Sequence, residues 1–245
     1  MDGRMHTEFR HLLQLAENDS AVRVAIITGE GDDFCVGADS QALEGHIAKG
    51  GYDPGTGPDL AMPGYGVRPE FDQNFAFMMG LETITVAAIN GAAAGVGLAA
   101  ACYCDLRFAS EDAKLTTAHG PLGLPPEFGL SWLLPHMIGL TRANDLLLSS
   151  RIFLASEIVD WGLFNAVVPG DQLMDTVIDY TNQLLSRVAP SSLKATKRHV
   201  YLDQHRDVGT AVANADIEPL MREPDYKEGV AAFIERRPAV WPDRI

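Results

Sequence analysis

Apolar positions recur at helical spacing near the start of the chain and then give way to short apolar runs. Four apolar residues share one face of a helix predicted over 7–16, and the run around RVAIIT predicts a strand over 22–28. The four are Phe9, Leu12, Leu13 and Ala16. A second run predicts a strand over 85–89, which leads through Asn90 into small residues and an alanine-rich helix. This alternation of strand, turn and helix predicts an α/β core.

The middle of the chain alternates short strands with helices, and the last third is helical throughout. Strands are predicted over 105–109, 114–117 and 165–168. Helices are predicted over 40–47, 70–81, 130–138, 142–149, 157–162, 172–188, 191–202, 209–221 and 226–236. Thr141 and Ser156 are expected N-caps, because a hydroxyl can accept a free N–H of the first helical turn. These elements predict an α/β core over 1–170 and a helical region over 171–245.

Composition narrows the class of protein. The net charge of −14 argues against general binding of nucleic acid, which needs a basic surface. Cys35, Cys102 and Cys104 lie in apolar surroundings and lack the spacing of a disulfide framework or a zinc site. They favour a reducing compartment and a cytoplasmic location. No apolar run is long enough to span a membrane, so no membrane partner is expected. No cluster of His, Cys and carboxylate residues has the spacing of metal ligands, so no metal is expected.

The segment AAINGAAAGVGLAAACYCDLRFAS carries the strongest indication of chemistry. It has glycine at 91, 95 and 97, just where the predicted helix begins. Small residues allow close approach of a ligand, and the first N–H groups of a helix have no partner within the helix. The segment therefore predicts backbone donors aimed at an oxygen that gains negative charge, such as that of an enolate.

A second glycine-bearing segment, VAIITGEGDDFCVGAD, follows the first predicted strand. The two segments together resemble the crotonase superfamily, also called the enoyl-CoA hydratase/isomerase family. SWLLPHMIGLTRANDLLLSSR, SEIVDWGLFNAVVP and YKEGVAAFIERRP resemble later family segments in the same order. The resemblance implies a crotonase (ClpP/crotonase-like) spiral of ββα units with a helical C-terminal trimerisation region. It also implies a homotrimer or a dimer of trimers (a hexamer).

The family acts on acyl-CoA substrates, often in fatty acid metabolism, so coenzyme A is expected as part of the substrate and no separate cofactor is implied. Family members usually begin with a pair of strands that carries a coenzyme contact. That pair is expected to be missing from this chain, which begins near its first helix. The glycine- and proline-rich segment 49–68 is expected to be a surface loop, and it fits a plain insertion as well as a lid over the acyl pocket.

By motif position, the resemblance assigns the two oxyanion-hole N–H groups to Ala38 and Val96. The neighbouring Gly37 and Gly95 are expected to contact the substrate. Asp39 is expected either to fix the turn or to contact the substrate as well.

The catalytic glutamates of a family hydratase are both replaced here. Their positions fall on Ala99 and His119, so a mechanism with two carboxylates is not supported. Glu127, eight residues after His119, is the expected alternative base. A carboxylate near an apolar acyl chain would have a raised pKa. The expected substrate-binding residues on this side are Ala99, Leu122, Leu124 and Trp132.

Four activities remain open for such a site. They are hydration, double-bond isomerisation by Glu127 alone, carbon–carbon hydrolysis of a β-diketone, and acyl-CoA binding without catalysis. Arg68, Lys227 and Phe233 are the expected contacts to the coenzyme, with Phe233 at the position of a family phenylalanine that contacts the adenine.

Overall fold

A parallel four-stranded sheet forms the centre of the fold in the computed structural model. The model describes residues 1–39, 44, 48, 71, 74–204, 207, 209–210 and 217–241. The strands, in their order across the sheet, are β1 (Val24–Thr28), β2 (Ile84–Ile89), β4 (Leu106–Ser110) and β7 (Ala166–Val168). All six residues of β2 are buried, as expected for an apolar strand covered on both faces.

A second, smaller sheet lies beside the first and supports the loops that follow its strands. It contains β3 (Ala93–Ala94), β5 (Lys114–Thr116) and β6 (Phe153–Leu154). β3 and β5 run parallel, whereas β5 and β6 run antiparallel.

Helices surround both sheets and make up the C-terminal region. They are α1 (Gly3–Asn18), α2 (Phe77–Gly80), α3 (Val96–Tyr103), α4 (Leu130–Ile138), α5 (Leu140–Ser149), α6 (Leu173–Arg187), α7 (Pro190–Asp203), α8 (Glu218–Met221) and α9 (Pro224–Glu235). Every residue of α3 is buried, because this helix passes through the middle of the core. None of the helices within the described ranges is both long and apolar enough to cross a membrane.

A buried ion pair connects α7 to the central sheet. The Lys197 ammonium lies 2.8 Å from the Asp105 carboxylate and donates to the carbonyl oxygen of Thr83 at 2.8 Å. The same carboxylate accepts from the N–H of Thr85 at 2.7 Å and from the Tyr201 hydroxyl at 2.9 Å. Burial, and then the Asp105 charge, raises the pKa of Tyr201, so that its hydroxyl remains a donor.

Tyr201→Phe is expected to lower the free energy of unfolding by about 2 kcal/mol, because one hydrogen bond to a buried charge is lost. Denaturant unfolding monitored by circular dichroism would measure the change. Tyr226→Phe is the matched control, because this side chain is 43% exposed. Equal losses in the two variants would contradict the stabilising role of the Tyr201–Asp105 contact.

Most predicted elements agree with the structure, and helix 130–138 has the predicted bounds. The N-cap predictions for Thr141 and Ser156 are wrong. Gly139 caps α5, and Ser156 lies inside a 3₁₀ helix (Ala155–Trp161) whose N-cap is Leu154. Leu12 is 62% exposed and lies outside the buried face of α1.

Several predicted elements cannot be compared over their full length. The predicted helix 40–47 and the loop 49–68 lie outside the described residues, apart from residue 44. The predicted helix 70–81 includes the helix Phe77–Gly80, and the predicted helix 209–221 includes the helix Glu218–Met221.

Candidate active site

The two glycine-bearing segments meet directly, held by the side chain of Asn90 at the end of β2. Its carbonyl oxygen accepts from the N–H of Gly29 at 2.9 Å, and its amide donates to the carbonyl oxygen of Gly31 at 2.9 Å. Asp33 reaches back across the contact and accepts from the N–H of Ala92 at 3.2 Å. Because the side-chain amide of Asn90 both accepts and donates a hydrogen bond to the neighbouring loop, it fixes the position of that loop relative to the end of β2.

Backbone hydrogen bonds extend this contact toward α3. The Phe34 and Cys35 N–H groups donate to the Ala92 carbonyl oxygen at 3.1 and 3.0 Å, and Ala94 N–H donates to Cys35 at 2.9 Å. The approach leaves no room for a side chain at Gly97, where a Cβ atom would lie 2.1 Å from the Cys35 carbonyl oxygen. Glycine at this position therefore determines how closely the helix packs on the neighbouring segment.

The two predicted oxyanion-hole residues, Ala38 and Val96, lie one on each of these segments. Gly95, with φ of 50°, turns the chain so that α3 begins at Val96 with its first N–H groups unused by the helix. Across the contact, Gly37 and Ala38 follow Cys35. Neither the Ala38 nor the Val96 N–H donates to any other residue that the structure describes.

Both residues line a cavity of about 700 Å³. Of the predicted site residues, it collects Gly37, Ala38, Gly95, Val96, His119, Leu122, Leu124 and Glu127. A cavity of this size is typical of small-molecule sites. The structure thus brings the segments that carry Ala38 and Val96 to the same cavity as the imidazole of His119 and the carboxylate of Glu127.

His119 is held in the wall by contacts of its flanking residues to Ser150, the C-cap of α5. The Gly120 N–H donates to the Ser150 hydroxyl at 3.1 Å, and the Thr117 hydroxyl is 3.2 Å from the same oxygen. The Thr116 hydroxyl donates to the Ser150 carbonyl at 2.9 Å. His119 is only 6% exposed, and its Nδ1 atom has no hydrogen-bond partner among the described residues. A buried polar atom without a partner is rare in native proteins, which sets this histidine apart from an ordinary core residue.

Glu127 reaches the cavity from a loop with two left-handed residues. Phe128 and Gly129 have φ of 53° and 73°, and α4 begins immediately afterwards. The Tyr103 hydroxyl on α3 donates to the Phe128 carbonyl at 2.8 Å, which fixes the loop beside the core. Burial raises the pKa of Tyr103, so the hydroxyl remains a donor. The Glu127 side chain is exposed, so its carboxylate is accessible to a ligand.

Three other predicted pocket residues lie away from the cavity wall. Ala99 is fully buried in the core on α3, one turn beyond Val96. Trp132 packs its ring against His136 on α4, with the ring centres 4.3 Å apart. Asp39 is exposed, and its N–H donates to the carbonyl oxygen of Met1 at 2.9 Å.

The predicted coenzyme contacts are not joined to the cavity within this chain. Arg68 lies outside the described residues. Lys227 and Phe233 lie on α9 and are exposed, Phe233 by 84%, and neither lines the cavity.

The sequence analysis did not identify part of the cavity wall. The additional lining residues are Met1, Asp2, Gly3, His6, Val36, Asn74, Thr117, Ala118 and Phe128. Asp2, Gly3 and His6 have the spacing of one helix face, and this spacing was the feature of the sequence that could have indicated them. Among the described residues, no three His, Cys, Asp or Glu side chains are arranged to hold a metal ion.

Comparison with known proteins agrees with this fold. A family model described as enoyl-CoA hydratase/isomerase matches residues 1–244, and the chain therefore belongs to the enoyl-CoA hydratase/isomerase family. The predictions of the family and of its α/β fold are confirmed, and the named relatives are enzymes, as predicted.

Two curated relatives illustrate the range of reactions in the family. The 1,2-epoxyphenylacetyl-CoA isomerase of Escherichia coli is 30% identical over 95% of this chain and 86% of its own length. The short-chain-enoyl-CoA hydratase of Clostridium acetobutylicum is 30% identical over 94% of this chain and 84% of its own. Among solved structures, an enoyl-CoA hydratase from Bacillus anthracis superposes with a TM-score of 0.82 at 26% identity, covering 98% of this chain and 89% of its own.

Proposed function

We propose that the protein is an enzyme that acts on an acyl-CoA thioester through an enolate. The Ala38 and Val96 N–H groups would bind the thioester oxygen as it gains negative charge. Glu127 would remove a proton from the α-carbon and return it at the α- or γ-carbon, with His119 assisting. The observation that carries this proposal is the presence of both donors, His119 and Glu127 on the wall of one cavity.

Isomerisation of a carbon–carbon double bond fits these groups better than hydration. The described wall of the cavity has two carboxylates, Asp2 and Glu127. Asp2 already caps α1 by accepting from the N–H of Met5 at 2.7 Å. One carboxylate then remains as a base, and a base that shuttles one proton is sufficient for isomerisation.

The reaction would need no cofactor beyond the coenzyme A of the substrate. A cytoplasmic location is proposed from the three free cysteines.

A homotrimer or dimer of trimers is proposed as the assembly. Large apolar side chains remain exposed on α5, α9 and nearby segments, including Leu148 at 84%, Ile152 at 67% and Ile234 at 72%. Apolar surface of this kind is typical of subunit interfaces. Lys227 and Phe233 would then contact the coenzyme in a neighbouring subunit, and Arg68 is a further proposed contact. Light scattering after size-exclusion chromatography would measure the assembly.

The reaction is tested by incubating the protein with 2-enoyl-CoA and 3-enoyl-CoA esters in heavy-oxygen water, followed by mass spectrometry. We expect the two esters to interconvert without gaining heavy oxygen. Heavy oxygen in a 3-hydroxyacyl-CoA product would instead establish a hydratase in which His119 and Glu127 position the water. No change in either ester would favour the β-diketone hydrolase or a binding protein without catalysis.

A further inference from the structure

Ser150 has a left-handed backbone conformation at the end of α5, with φ of 48° and ψ of 26°. Residues with a Cβ atom adopt this conformation at a cost in free energy, and glycine usually occupies it at the end of a helix. The Ser150 N–H donates to the Leu146 carbonyl oxygen at 3.0 Å, a bond that glycine would make equally well. A serine at this position is therefore explained by a contact of its side chain.

Residues other than glycine with positive φ lie mainly around the cavity. The structure describes five of them, which are Asn74, Ala118, Phe128, Ser150 and Arg236. The first three line the cavity, and Ser150 is bonded to the loop that carries His119. Backbone conformations that cost free energy are concentrated at functional sites, where the surrounding contacts hold them in place. Ser150 is thus associated with the cavity although it does not line it.

The hydroxyl of Ser150 contacts the chain on both sides of His119. It accepts from the Gly120 N–H at 3.1 Å and lies 3.2 Å from the Thr117 hydroxyl. A Cβ atom at Gly120 would lie 2.7 Å from the same oxygen, so only glycine allows this close approach. Ser150 is 7% exposed, so little water can replace the hydroxyl as a partner.

The place of the His119 ring depends on this backbone anchor. The Nδ1 atom of the ring is buried and has no hydrogen-bond partner among the residues that the structure describes. No hydrogen bond at that nitrogen therefore orients the ring. Its position in the cavity wall follows instead from packing and from the backbone that Ser150 holds.

We propose that Ser150 is a positioning residue, whose hydroxyl holds the backbone of His119 where the imidazole assists the proton transfer. This inference rests on the proposed function, because it assumes that His119 assists Glu127 on an acyl-CoA ester. Ser150 does not line the cavity, so it acts through His119 and not on the substrate.

Ser150→Gly and Ser150→Ala together separate this role from a role in stability. Both variants lose the hydroxyl, but only glycine also relieves the left-handed backbone. We expect Ser150→Gly to melt about 2–4 °C above Ser150→Ala, because alanine retains the cost of that conformation. Both variants should nevertheless show the same loss of about five- to tenfold in kcat on an enoyl-CoA ester, the change that one hydrogen bond provides, with KM little changed.

The matched control is Ser149→Ala. Ser149 is an exposed serine one residue earlier, its hydroxyl donates to the Asp145 carbonyl oxygen, and it does not line the cavity. This variant should keep the wild-type kcat.

A His119→Gln background tests whether the effect passes through the imidazole. Two residues that act through one group have non-additive effects. We expect Ser150→Gly to change kcat by less than about twofold in this background, against five- to tenfold in the wild type.

A wild-type kcat in Ser150→Gly overturns the positioning role and leaves the proposed function standing. A loss of kcat in Ser150→Ala alone does the same, since activity would then follow stability. An equal effect of Ser150→Gly with and without the imidazole also overturns it. Failure of the wild type to convert any enoyl-CoA ester overturns the proposed function, and with it this inference.

Discussion

Replacing Gly97 with alanine is expected to destabilise the protein and to abolish activity at the same time. The added Cβ atom would lie 2.1 Å from the Cys35 carbonyl oxygen and 2.9 Å from its carbonyl carbon. Both are backbone atoms of the segment that leads to Ala38, so α3 and this segment must move apart. Insertion of a methyl group into a well-packed site costs about 1–3 kcal/mol, and a backbone clash belongs at or above the upper end. Thermal unfolding and a turnover assay would measure the two effects.

The control for this prediction is Gly229→Ala on α9. A Cβ atom there makes only ordinary contacts, the nearest at 3.7 Å to Trp241. Alanine in the interior of a helix is more stable than glycine by about 1 kcal/mol, so this variant should be stabilised and fully active. If Gly97→Ala behaves like Gly229→Ala in both assays, the close packing of α3 on the Cys35 backbone is not required for stability or activity.

Glu127→Gln is expected to reduce turnover of an enoyl-CoA ester by about 10²- to 10⁴-fold, the usual contribution of a general base. The amide keeps the size of the side chain and removes its ability to accept a proton. Because Glu127 is exposed, the free energy of unfolding should change by less than about 0.5 kcal/mol. Steady-state kinetics would place the loss in kcat, with KM little changed.

The matched control is Glu111→Gln, an exposed glutamate outside the cavity, which should have wild-type kinetics. Full activity in Glu127→Gln would remove this residue from the mechanism and would leave His119 as the candidate base. A parallel loss of stability and activity would indicate that Glu127 acts on the structure of its loop and not on the substrate.

The segment that carries Val96 could be located from the sequence because local chemistry determines it, whereas Ala38 was assigned through the resemblance to the family. Glycine is needed where the backbone turns sharply or packs closely, and the glycines at 95 and 97 mark such positions in the sequence. The buried strand β2 was equally clear, because six consecutive apolar or small residues suit a strand covered on both faces.

Features that depend on packing between distant segments could not be predicted in the same way. His6 looks like an ordinary helix residue until Phe75 is known to lie against it. The N-cap predictions failed because glycine at 139, with φ of 78°, ends α4 and begins α5, so that no hydroxyl cap is needed at Thr141. Leu12 has helical spacing, but α1 buries the face with Gly3, Thr7 and Leu13.

Ala99 and His119 replace the two glutamates of a family hydratase, and their surroundings differ accordingly. At the first position, Ala99 is enclosed in the core and does not reach the cavity. At the second, His119 keeps a buried, unpartnered Nδ1 in the wall. A site with one free carboxylate and an imidazole could still move a proton at a carbon that the proposed oxyanion hole makes acidic. Stabilisation of an enolate is therefore the part of the chemistry that these replacements leave intact.

Exchange of the α-protons of a 3-enoyl-CoA ester with deuterated water, followed by mass spectrometry, tests this central claim most directly. The account predicts that the wild type introduces deuterium at the α-carbon and that Glu127→Gln does so at least a hundredfold more slowly. Tight binding of the ester without any exchange by the wild type would contradict the claim that the cavity stabilises an enolate.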